Sequence, residues 1–310
     1  MRRNIELNYR YMHYLYHSYD ICKVFYRMGD GVRQGMNFDD LKKLPTLFPV
    51  TQEQQKIADF LDDKCAKIDS LIAHEEATIE ELKAYKQSVI TEAVTKGLDK
   101  SVPMKASGVE WIGEIPEEWS VVLLSSIFHQ HKEKNNNLQE TNLLSLSYGK
   151  IIQKDINTCE GLLPASFETY NIIDEGDIVF RLTDLQNDQR SLRTGLCTQS
   201  GIITSAYITL RKSIDLNDRY MHYLYHSYDI CKVFYGMGDG VRQGMNFDDL
   251  KKLLTLFPTI KKQKQIADYL DKKCACLDSL VSSKQNKIEE LKEYKKSLIY
   301  EYVTGKKEVA

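Results

Sequence analysis

The hydrophobic pattern of this chain alternates between two kinds of segment. Across residues 54–96, apolar side chains recur at Ile57, Leu61, Cys65, Ile68, Ile72, Ile79, Leu82, Val89 and Ala93, in steps of three, four or seven. The same register returns at Ile266, Leu270, Cys274, Leu277, Val281, Ile288, Leu291, Leu298 and Tyr302. Glu and Lys dominate the other positions, and neither stretch contains Pro or Gly. A narrow seam of near-heptad period predicts a long helix that packs on another helix. About 42 residues at 1.5 Å each would make a rod on the order of 60 Å. Pro49 and Pro258 precede the two stretches, predicting an extended entry segment, TLFP, ahead of each helix.

Between the two rods the pattern is mixed. β-rich or alternating runs occupy 120–128, 142–149, 177–183 and 203–211, separated by Asn, Gly and charged clusters. A helix is predicted over 218–235 with Asn217 as its cap, then a Gly-rich turn at 236–240 and a short helix over 247–253 behind Asn246. Strands followed by helices predict an α+β domain. Residues 135–137 and 97–104 read as loop or linker.

Self-comparison explains why the two rods match. Leu7–Pro49 aligns without gaps on Leu216–Pro258, and only Tyr9/Asp218, Arg27/Gly236 and Pro45/Leu254 differ among 43 positions. The match continues more loosely through the rods, at a constant offset of 209. A period this long is a duplicated domain with its connecting helix, not a solenoid unit.

Composition narrows the class. The chain has 310 residues, 42% of them hydrophobic and 28% charged, which suits a folded soluble chain with ample core. No run of eighteen apolar residues predicts a membrane span, and the first residues do not read as a secretory signal, so a cytoplasmic location is expected. Seven cysteines at irregular spacing fit a reducing compartment better than a disulfide framework. The net charge is −2, and residues 104–259 alone carry −5, which excludes a generic basic nucleic-acid coat.

The familiar catalytic patterns GxxxxGK[ST], GxSxG, HExxH and CxxC do not occur. GMGDGVRQG at 236–244 follows a predicted helix rather than a strand, so a tight turn is a better reading than a dinucleotide loop. His222, His226 and Asp229, repeated as His13, His17 and Asp20, have metal-compatible helical spacing. The surrounding tyrosines favour a half-buried aromatic helix instead. Polar density stands out at RLTDLQNDQRSLR (181–193) and GVRQGMNFDDLKK (240–252). Arg, Gln and Asn are the side chains that read base edges, but Asp184, Asp188, Asp248 and Asp249 cancel most of the charge, and from composition alone a solvated loop is the better reading.

Four stretches together resemble the specificity subunit of type I restriction–modification systems. SGVEWIGEIPEEW (107–119) resembles the opening of that family's target recognition domain. GDIVFRLTDLQNDQRSLR (176–193) with GIITSAYITL (201–210) resembles its middle, and VRQGMNFDDLKKLLTLFP (241–258) its close. QKQIADYLDKKCACLDSL and its copy at 54–71 resemble the family's spacer helices. The resemblance implies target recognition domains alternating with antiparallel spacer helices. It divides the chain into a remnant of a first recognition domain at 1–50, a first spacer at 51–97, a linker at 98–103, a recognition domain at 104–259 and a second spacer at 260–306. The expected partners are double-stranded DNA, methyltransferase subunits and a restriction/translocase subunit. No metal site, cofactor or catalytic residue is expected in this chain; S-adenosylmethionine, ATP and Mg belong to the partner subunits. Arg181, Thr183, Gln186, Asn187, Gln189, Arg190 and Arg193, with Arg242, Gln243 and Asn246, are expected to face DNA. The repeated rods would also permit a homodimer through the spacer helices. The alternative is a truncated coiled-coil assembly protein that binds the methyltransferase without reading DNA.

Overall fold

A computed structural model describes residues 6–27, 35–157, 166–183, 185, 192–237 and 244–309. Among these residues there are six α-helices: α1 (Tyr9–Ile21), α2 (Phe38–Leu41), α3 (Thr51–Lys96), α4 (Asp218–Ile230), α5 (Phe247–Leu250) and α6 (Ile260–Val303). At 1.5 Å per residue, α3 and α6 are each about 65–70 Å long. The chain forms two compact units, residues 1–83 with 277–310 and residues 84–276, so that both long helices contribute to both. No described helix is long and apolar enough to cross a membrane.

In the first unit, the seam residues Ile57, Leu61, Cys65 and Ile68 of α3 bury against Leu298, Ile299 and Val303 of α6, with Tyr11 and Leu15 of α1 completing the core. Phe60 packs on Tyr302, while Asp69 meets Lys295 and Glu75 meets Lys284, so the helices run antiparallel. The α1 helix begins where Asn8 Oδ1 accepts from the Arg10 and Tyr11 amides, satisfying two of the free N–H groups of the first turn. Gln54, fully buried, accepts from the Asn8 amide at 3.0 Å and donates to the Pro49 carbonyl at 2.8 Å. Arg10 forks onto Asp59 and Asp62, and Tyr14 donates to Asp62. The Tyr11 hydroxyl donates to the Val303 carbonyl near the end of α6, at 3.2 Å.

The second unit repeats these contacts at the same offset. Gln263 joins the Asn217 amide to the Pro258 carbonyl, Arg219 forks onto Asp268 and Asp271, Tyr223 donates to Asp271, and the Tyr220 hydroxyl reaches the Val94 carbonyl. It adds the β-rich portion. Strands Thr194–Leu196, Ile178–Phe180, Ile208–Lys212 and Phe128–His131 form an antiparallel sheet in that order. Gly201–Ile203, Asn171–Ile173 and Glu133–Lys134 form a second sheet. Three two-stranded ribbons complete it: Met104–Ala106 with Glu114–Pro116, Leu254–Phe257 with Ser120–Leu123, and Leu144–Ser147 with Lys150–Gln153. The α+β class expected from the sequence is what the unit shows.

The core of this unit seats α4 between sheet and long helices. Tyr225 packs on Phe128 and Phe180, and Trp111 meets Tyr228 edge-on at 4.4 Å. Val89, Ile90, Ala93 and Val94 of α3 and Ile266, Ala267 and Leu270 of α6 close the other side. The same residues in α1 and the segment after it lie in a different environment. Tyr16 is 41% exposed where Tyr225 is buried, and Leu41 is 43% exposed where Leu250 is buried.

Several element boundaries differ from the periodicity. The run 120–128 splits around a tight turn at Leu124–Ser126. The helix expected over 218–235 stops at Ile230, because Lys232 takes a left-handed conformation (φ 59°) that ends helical bonding before the turn Val233–Gly236. The short helix ends at Leu250 rather than 253.

Candidate nucleic-acid interface

Strands Ile178–Phe180 and Thr194–Leu196 pair antiparallel and carry the first polar segment as the loop between them. The Arg181 amide donates to the Arg193 carbonyl at 2.8 Å, closing the loop at its base. Leu182 and Leu185 are buried and anchor its first half in the core. Thr183 is exposed and Arg181 half-buried. Gln186, Asn187, Gln189 and Arg190 lie outside the described residues, as do Arg242 and Gln243.

The second polar segment returns to the first. The Met245 amide donates to the Leu182 carbonyl at 2.9 Å, and Met245 is buried beside it. Two segments some sixty residues apart in sequence are thus fastened backbone to backbone. Asn246 is exposed, but its side-chain oxygen is committed to capping α5, accepting from the Asp248 and Asp249 amides.

Arg193 requires a correction. It was expected to face DNA, yet it is fully buried. Its amide donates to the Asp229 carboxylate on α4, and its guanidinium donates to the Thr183 carbonyl at 3.2 Å. A buried guanidinium needs such acceptors. Arg193 ties the loop to α4 and shapes its base instead of meeting a ligand.

Sequence reasoning missed Lys132. It is exposed between strands Phe128–His131 and Glu133–Lys134. Its charge, with those of Lys251 and Lys252, lowers the Asp248 carboxyl from its ordinary value; the direct bond from Lys251 is the main cause. Lys132 thus stands near the start of α5, where Asp248, Lys251 and Lys252 also lie. Lys251 and Lys252 are partly neutralised by Asp248 and Asp249 three residues earlier. The HKEK cluster at 131–134 was visible in the sequence, but its neighbourhood depends on sheet pairing.

His222 and His226, considered for metal, are held uncharged by burial. Desolvation pushes His222 down to about 3, with His226 adding to it, and pushes His226 to about 4, with Lys86 adding to it. Among the described residues, no three His, Cys, Asp or Glu side chains converge as a metal site.

Residues 1–84 match the model of the type I restriction modification DNA specificity domain. Two Methanocaldococcus jannaschii proteins are similar over most of the chain. The putative type I restriction enzyme MjaX specificity subunit is 26% identical over 88% of this chain, and the MjaVIII specificity subunit is 24% identical over 85%. This chain spans 62% of the length of each. Among solved structures, the HsdS subunit from Thermoanaerobacter tengcongensis superposes with a TM-score of 0.53 at 13% identity, over 96% of this chain and 70% of that one. A chain from a study of complex assembly and conformational transition of the type I R-M system superposes with a TM-score of 0.68 at 13% identity, over 94% and 70%. At such identities the likeness is one of fold.

Proposed function

We propose, from the similarity of this chain to type I restriction enzyme specificity subunits and of residues 1–84 to the type I restriction modification DNA specificity domain, that it is a sequence-recognition subunit whose reading face lies on the residue 84–276 unit. The observation that carries this is the fastening of the 181–193 loop to the 244–246 segment through Met245 and Leu182, which gathers both polar segments on one scaffold. Arg181, Thr183, Gln186, Asn187, Gln189 and Arg190, with Arg242, Gln243 and Asn246, would contact DNA, and Lys132, Lys251 and Lys252 would hold phosphate. The recognition domain is acidic overall, so attraction to DNA must come from these local lysines and from a partner subunit. Methyl transfer and cleavage would then be the work of partner methyltransferase and restriction subunits. Those partners would supply S-adenosylmethionine, ATP and Mg, while this chain performs no catalysis.

The test is selection from a random double-stranded DNA library by the purified chain with a type I methyltransferase subunit. One short motif should be enriched, and binding should weaken steeply as salt rises, because phosphate neutralisation releases counterions. Recovery of no motif would overturn sequence reading by this chain.

A further inference from the structure

Glu75 lies on the apolar seam of α3, three residues after Ile72 and four before Ile79, where the pattern calls for a hydrophobic side chain. Its carboxylate is only 6% exposed and receives two lysines of α6, Lys284 at 2.7 Å and Lys287 at 2.6 Å. By the 209-residue offset, Glu75 and Lys284 are the same position of the repeat, and Lys287 corresponds to Thr78. The two copies therefore differ in charge at a position where one touches the other. In an antiparallel pair of helices, a position that touches its own equivalent is where a like helix would set that residue against itself.

The consequence can be followed residue by residue. If α3 met α3 of a second chain in this register, Glu75 would face Glu75, and Thr78 would stand where Lys287 now donates. If α6 met α6, Lys284 would face Lys284 with Lys287 beside it. Pairing α3 with α3 would bury two carboxylates with no counter-ion, and α6 with α6 would set partly exposed lysines against each other, whereas α3 with α6 pairs the charges. A well-packed apolar residue would serve stability as well or better, since desolvation consumes most of a buried ion pair's attraction. What the charges add is discrimination between partners, as buried polar residues do in coiled coils.

We propose that Glu75, Lys284 and Lys287 form a partner-selection lock that makes α3 complementary to α6 and rejects the corresponding helix of a second copy of this chain. Pairing of two chains through like helices, which the repeated rods would otherwise permit, is thereby disfavoured.

The experiment uses full-length chains carrying two different affinity tags, co-expressed and captured on one tag. Wild-type copies should not capture each other. Neither should copies of Glu75→Lys alone, which gather three lysines, nor copies of Lys284→Glu/Lys287→Glu alone, which gather three carboxylates. Glu75→Lys co-expressed with Lys284→Glu/Lys287→Glu makes pairing between chains complementary, and capture should rise roughly tenfold or more over either variant alone. The triple reversal Glu75→Lys/Lys284→Glu/Lys287→Glu restores complementarity within one chain. It should return to the wild-type melting temperature and single-chain mass, showing that the reversed residues fold. Capture by either variant alone as strong as by the complementary pair, or no capture between the complementary variants while the triple variant folds, would overturn the lock.

Discussion

Leu41 and Leu250 occupy the same position of the repeat, in identical local sequence, yet Leu41 is 43% exposed and Leu250 fully buried. Replacing each by Ala removes the same atoms from two environments. At Leu250 the transfer contribution is about 2–3 kcal/mol, and the cavity left in a closed core raises it toward about 3 kcal/mol or more. At Leu41 water already reaches nearly half the side chain and fills the space left, so the loss should be roughly 1 kcal/mol or less. Both tryptophans, Trp111 and Trp119, lie in the residue 84–276 unit, so their fluorescence reports unfolding of that unit alone. For a unit of this size, about 3 kcal/mol corresponds to a fall of roughly 6–12 °C in the tryptophan-monitored melting temperature. Leu250→Ala should show that fall, and Leu41→Ala, read by scanning calorimetry because the tryptophans do not report its unit, should lower its own transition by about a third as much or less. Equal shifts, or no shift with Leu250→Ala, would refute the reasoning that the β-rich portion gives the second copy of this segment its closed core.

Two further outcomes follow from the same unit. His222 and His226 are held neutral well below the ordinary histidine value of 6.5, so the unfolded chain binds more protons between about pH 6.5 and 3. The tryptophan transition should be most stable above pH 6.5 and weaken as pH falls toward 4 and then 3, and His222→Gln/His226→Gln should flatten that dependence in a denaturant titration at each pH. Arg193→Ala should lower the same transition, because it removes a buried donor to the Thr183 carbonyl, whereas Arg181→Ala should leave it unchanged while weakening DNA binding and reducing the salt slope by about 1.

The long helices were legible because their signal is redundant: nine seam positions in each copy agree on one register, and the structure buries or half-buries every one. The strands were legible only in part. Asn171–Ile173, Thr194–Leu196 and Gly201–Ile203 are three residues each and almost wholly buried, so no alternation exists to read. Their glycines look like loop signals but answer to packing: a Cβ on Gly201 would stand 2.5 Å from the Asn142 carbonyl oxygen, and one on Gly195 2.6 Å from a Leu146 methyl. At the candidate site, the polar composition pointed to the right segments, but charge alone could not separate Arg193, which is consumed inside the fold, from Arg181 at its edge. That distinction comes from Asp229 and Thr183, brought near by tertiary contacts that no local pattern encodes.

The repeated segment has a consequence for how binding specificity can be distributed. The Arg fork, the tyrosine hydroxyl on a helix-end carbonyl and the buried glutamine are duplicated to the residue. So is the 240–252 sequence, which reappears unchanged at 31–43. A loop with one spelling supplies the same vocabulary wherever it stands and cannot by itself tell one target from another. If DNA is read here, choice between targets must reside in the hairpin 181–193 and the strands that carry it. The duplicated segment then acts as a standard fitting, and new target preferences can arise by exchanging strands while the attachment to the long helices stays as it is.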